Sequence, residues 1–206
     1  MKKLIKGLHK FQKEVFPLKK NYFEELAKEQ KPEVLFVTCS DSRINPNLFT
    51  STGPGDLFIL RNAGNIIPAY STGGGEAATI EFAVEGLGVK HIIVCGHSNC
   101  GAIEAAIHPE KMLNMPSLSQ WININLTPTL DLIKQNYANL DSNSLLNVLL
   151  QENVLKQVED LKTHPSVTSK LLQNKISVHA WLYKIETGEI FSFNPNEEQF
   201  ELISKK

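Results

Sequence analysis

The chain has 206 residues, enough for one domain of ordinary size whose core needs neither disulfides nor a metal staple. Charged residues make up 21% of it and sum to −1 at pH 7, which excludes both the basic footprint of a nucleic-acid binder and the acidity of a solvating tail. Three cysteines, an odd number, do not make a disulfide framework, so reduced thiols, a cytoplasmic setting and a small neutral partner are expected.

Residues 1–30 read as an N-terminal helical arm. Leu4, Ile5, Leu8, Phe11, Val15 and Phe16 fall at helical spacing opposite a lysine-rich face, as in an amphipathic packing helix. Lys6, His9, Lys10 and Lys13 interrupt any signal-peptide core, and no run of about 18 apolar residues follows, so no membrane partner is expected. Residues 33–102 read as an α/β core. EVLFVTC at 33–39, DLFIL at 56–60 and HIIVC at 91–95 are short apolar runs of the kind that both faces of a parallel sheet bury. Between the second and third, Ile80, Ala83, Val84 and Leu87 make one helical stripe, which Gly86 or Gly88 ends. Strand, helix, strand in this order is a βαβ unit.

Residues 117–173 turn helical, with Pro116, Pro128 and Pro165 as punctuation. At 176–193 two β-rich runs flank Glu186-Thr187-Gly188-Glu189, a hairpin signal. The expectation is a single α/β domain over 1–206: a mainly parallel central sheet flanked by helices, with an antiparallel C-terminal edge and the amphipathic arm.

Cys39 ends one predicted strand, and His97 and Cys100 follow the end of another. In open α/β sheets, sites gather beyond the carboxyl ends of strands, so the two segments reach one rim. Two Cys and one His are an attested catalytic zinc set that leaves the fourth position for water. Ser98 or Asn99 is placed to cap the helix that follows, whose N-terminus favours an ionised Cys100. Asp41 and Arg43 stand two and four residues beyond Cys39. An arginine fork keeps a carboxylate ionised and acceptor-only, able to aim a zinc-bound hydroxide by taking its proton in a hydrogen bond. Two thiolates and a neutral imidazole cancel the charge of the ion, so the water is less acidic than the pKa of ~7 in a three-histidine site, and activity is expected to rise into alkaline pH.

C-S-D-S-R at 39–43 and G-H-S-N-C-G at 96–101 together resemble the β-class carbonic anhydrases. The likeness continues through GPGDLFILRNAGN at 53–65, GGGEAATIEFAVEGLGVKHIIVCGHSNCGA at 73–102, and THPSV with VHAWLYKIETG near the end. It implies one zinc ion per subunit on Cys39, His97 and Cys100, the Asp41–Arg43 dyad, and a homodimer or homotetramer that hydrates carbon dioxide reversibly to bicarbonate. It also implies that Gln30 donates a hydrogen bond to substrate, that Gly101 adjoins it, and that Phe58 and Phe82 line a narrow apolar slot, with these residues often supplied by a neighbouring subunit. One branch of the family has a closed state in which the aspartate sits on zinc, controlled by bicarbonate held by a Trp, Arg and Tyr set. This chain matches at Arg61 and Tyr183 but carries Phe36 in place of the tryptophan, and phenylalanine lacks the indole N–H. An open, unregulated site is expected.

Two other readings stand beside this one: a carbon disulfide or carbonyl sulfide hydrolase on the same scaffold, and a structural zinc protein closed by a fourth ligand. Cys95, inside an apolar strand, reads as a packed thiol. His91, His108, His164 and His179 read as structural, and Gly73-Gly74-Gly75 as a loop before a helix, since it lacks the ending of a phosphate-binding loop.

Overall fold

The computed structural model describes residues 1–70, 73–137 and 139–204. An arm of α1 (Lys2–Lys10), a π-helical turn (Phe11–Val15), a 3-10 turn (Pro17–Lys19) and α2 (Lys20–Leu26) leads into the sheet. Then come β1 (Val34–Cys39), α3 (Pro46–Phe49), β2 (Leu57–Asn62), α4 (Gly75–Glu81) with a π-helical turn (Phe82–Gly86), β3 (His91–His97) and α5 (Gly101–Ile107). The second half holds α6 (Pro116–Asn125), α7 (Thr127–Asn136), α8 (Ser142–Leu161), α9 (Pro165–Leu172), β4 (Ser177–Tyr183), β5 (Ile190–Asn194) and β6 (Gln199–Leu202).

The six strands order as β2-β1-β3-β4-β5-β6, the first four mutually parallel and the last two antiparallel. The expected C-terminal hairpin is β4–β5, turning through Gly188 at φ 74°. Its first strand also completes the parallel core, and β6 is an addition to the expected fold. Alternation along β1 sends Leu35 and Val37 to one face and Phe36 to the other, all of them fully buried. On the first face, α4, α8 and α9 supply Ile80, Val154, Leu161 and Val167 to a core with Ile92, Val94 and Ala180. On the second, Phe36, Ile93 and Cys95 pack against Phe49, Trp181 and Tyr183.

The helix at 75–86 ends as the sequence suggests. Gly88 takes φ 69°, while the Leu87 and Val89 N–H groups return to the Phe82 and Ala83 carbonyls. Pro116 and Pro165 open α6 and α9, where a missing N–H costs nothing. The amphipathic arm forms as expected. Its apolar stripe forms, but Leu4, Ile5 and Leu8 are 69, 48 and 54% exposed, and α1 buries no residue against its own chain. Among the described residues its far end is anchored by the Tyr22 hydroxyl, which donates to Pro54 O at 2.5 Å.

Candidate metal centre

Because β1, β2 and β3 run parallel and in register, their carboxyl ends bring Cys39, Asn62 and His97 to one rim. Cys100 follows His97 through a turn in which Asn99 takes φ 55°. One ligand atom each from Cys39, His97 and Cys100 lies within 4.8 Å of the others, and all three side chains are buried. The two sulfurs are 3.8 Å apart. His97 Nδ1 lies 2.9 Å from the Ser98 carbonyl, which leaves the lone pair on Nε2. Among the described residues that buried Nε2 has no hydrogen-bond partner. A buried imidazole acceptor facing two thiols is the donor set of a soft or borderline cation such as zinc, so these residues fit the ion the motif implies.

The electrostatics agree. The Cys100 thiol, as donor, pulls the Cys39 thiol down against its burial, with His97 and the Gly64 and Asp41 N–H groups adding to the effect. The same bond and burial push Cys100 up. The pair thus gives up one proton readily and the second only with difficulty, because two thiolates this close repel unless a cation lies between them. Cys95 stands apart: burial pushes its thiol up to about 12, and it is absent from the cluster. Among the described residues no fourth Cys, His, Asp or Glu joins the three.

Beside the cluster, Asp41 Oδ1 accepts from the Arg43 backbone N–H at 2.9 Å and from its Nε at 3.0 Å, while Oδ2 accepts from Nη2 at 2.7 Å. This fork holds the Asp41 carboxyl well below the usual range. Asp41 Oδ2 is also 4.0 Å from His97 Nε2. Arg43 Nη2 donates on to Asn99 O at 2.9 Å, tying the two ligand segments together. Arg61 donates through Nε and Nη2 to Cys39 O and through Nη2 to Asp41 O, fixing the end of β1.

One local expectation needs correction. Neither Ser98 nor Asn99 caps α5, whose N-cap is Cys100 without a side-chain bond. Ser98 Oγ instead donates to Glu186 Oε2 at 2.6 Å and accepts from the Ile185 N–H, fastening the ligand turn to the β4–β5 hairpin. The remaining site residues do not all converge within one chain. Gly101 begins α5 beside Cys100. Tyr183 stacks on Phe49, with centroids 4.7 Å apart. Phe58 and Phe82 meet each other at 5.8 Å, but Phe58 pairs with Leu35, four residues before Cys39 and so ~13 Å away along the sheet. Gln30 precedes β1.

The carbonic anhydrase family profile matches residues 34–190, a span that contains the whole cluster. The chain belongs to the β-class carbonic anhydrases. A carbonic anhydrase of Synechococcus elongatus is 43% identical over 94% of this chain and 72% of its own length. The solved β-carbonic anhydrase CcaA superposes with a TM-score of 0.94 at 39% identity, covering 100% of this chain and 93% of that one. Two β-carbonic anhydrases of Sordaria macrospora, described as tetrameric, are represented by a chain at TM-score 0.79 and 28% identity, over 93% of this chain and 95% of that one. This carbonic anhydrase therefore carries its three candidate metal ligands and its Asp–Arg pair on one rim of the family fold.

Proposed function

We propose that the protein hydrates carbon dioxide reversibly to bicarbonate and a proton, using one zinc ion per chain held by Cys39, His97 and Cys100. The observation that carries this is the buried, unpartnered Nε2 of His97, facing two close sulfurs beside a clamped carboxylate. Zinc bound there supplies Lewis acidity that activates water as the nucleophile. Asp41, kept ionised by Arg43, accepts a hydrogen bond from the reacting water and donates none, which turns the attacking lone pair away from itself and toward the substrate. An ion held by these three donors alone would keep a position for water, which favours catalysis over a purely structural ion. Because two thiolates offset the charge of the ion, activity is expected to rise into alkaline pH.

Three observations support an open, unregulated site in which Asp41 stands beside the metal. Both carboxylate oxygens already face Arg43, Phe36 lacks a donor, and Arg61 is engaged by backbone carbonyls. Rates of bicarbonate dehydration are then hyperbolic in bicarbonate, and a sigmoidal curve would reject the unregulated state. The bare face of α1 and the register position of Phe58, four residues down the sheet from Cys39, support a homodimer or homotetramer of one-domain chains, and three free thiols suit the cytoplasm. No described helix is long and apolar enough to cross a membrane.

Stopped-flow hydration with zinc-loaded wild type, Cys39→Ser and Asp41→Ala tests the reaction. Acceleration by wild type that each substitution reduces on the order of 100-fold or more is expected. No acceleration by zinc-loaded wild type at alkaline pH overturns it.

A further inference from the structure

Helix α8 buries one stripe, and two of its members are amides: Asn153 and Gln157 sit among Leu149, Leu150, Val154 and Leu161. They are 1 and 0% exposed, and an amide taken out of water is destabilising unless its donors and acceptors are met. Here they are met in a chain that leads toward the metal ligands. Gln157 Nε2 donates to Asn153 Oδ1 at 3.0 Å, and Asn153 Nδ2 donates to Gly64 O at 3.1 Å. Gln157 Oε1 accepts from the Ile67 N–H at 2.6 Å. The segment they hold, residues 63–67, is irregular backbone directly after β2.

Other groups hold the same segment from its remaining sides. Trp121 Nε1 donates to Ala63 O at 2.9 Å, and the Asn62 amide both donates to Ile66 O and accepts from Ile66 N. Gly64 itself takes φ 85°, a backbone conformation that a side chain would strain. The N–H of this glycine is directed at Cys39 Sγ, 3.4 Å away.

We propose that Asn153 and Gln157 are positioning residues for the metal centre, holding the 63–67 segment so that the Gly64 N–H stays on the Cys39 sulfur. An N–H donor on a thiolate fixes the direction of its remaining lone pairs and tempers its basicity. Partners of this kind, one step removed from the metal, alter retention by ~10–100-fold in metal sites generally. The inference rests on the zinc reading above.

The test uses zinc-loaded, full-length protein and two substitutions that keep volume while removing the amides, Asn153→Leu and Gln157→Met. Zinc release to a chromophoric chelator is timed, and the sulfur-to-metal charge-transfer band is recorded after cobalt loading. Release up to ~10-fold faster in Asn153→Leu, which acts on Cys39 through Gly64, with a displaced band, is expected, and Gln157→Met gives a smaller change of the same sign. Phe193→Ala, on β5 four strands from β2 and packed against Phe200, serves as the control for stability loss and leaves both readouts unchanged. Wild-type release and an unmoved band in both amide variants overturn the inference alone, as does an equal change in Phe193→Ala. Wild type that retains no zinc overturns the metal reading and this inference together.

Discussion

Asp41 and Arg43 are separated by one residue, a spacing that lets the guanidinium fold back onto the carboxylate while the Arg43 backbone N–H reaches the same oxygen. The two-pronged contact sets both the charge and the orientation of Asp41, and an ammonium group cannot reproduce it. Arg43→Lys is therefore expected to lower kcat on the order of 100-fold with zinc content unchanged, by stopped-flow and metal analysis. A different pH effect arises at the other end of the sheet. Burial first, and His91 second, lower the pKa of His179 from its ordinary 6.5. The unfolded chain then binds this proton more tightly than the folded one, so the folded state loses stability as pH falls through 6.5 toward the depressed value. His179→Gln should flatten the slope of chemical-denaturation stability between about pH 5 and 7. Cys39, Asp41, Arg43, His97 and Cys100 were legible in the sequence because each ligand segment is a short motif at a strand end. Asn153 and Gln157 were not, since side-chain amides are ordinary on a helix. Their one signal was their position on the stripe of Leu150, Val154 and Leu161.

The strands and the helix between β2 and β3 were readable from continuous apolar runs and Gly88, because burial on both faces leaves no other pattern. β6 was missed. Its cue is the Asn194-Pro195-Asn196 turn before a short alternating run, too brief to outweigh the polar residues around it. The arm shows the limit of periodicity, which reports that a helix has an apolar face without saying what covers it. Close approach of elements was equally hidden. A Cβ on Gly96 would lie 2.5 Å from Val154 Cγ2, so β3 and α8 meet at a point where only hydrogen fits. Val154 is branched and cannot swing aside freely. Gly96→Ala should cost about 1–3 kcal/mol in denaturant-induced unfolding, and it should shift His97, its immediate neighbour.

At the level of the assembled protein, one chain divides its expected site residues between two ends of the sheet. Cys39, Asp41, Arg43, His97 and Cys100 occupy the carboxyl rim, while Phe58 and Phe82 meet near the start of β1 and Gln30 precedes it. No reading of strands and helices along one chain reveals such a division, because it becomes apparent only from register. If neighbouring copies supply what each rim lacks, lesions at the two ends belong to different sites and are separable genetically. Cys39→Ser subunits and Phe58→Asp subunits, each inactive alone, would complement when unfolded and reassembled together, with one intact site in every mixed dimer. Random pairing predicts recovery of about a quarter of wild-type hydration activity, and no recovery would mean that each chain works alone.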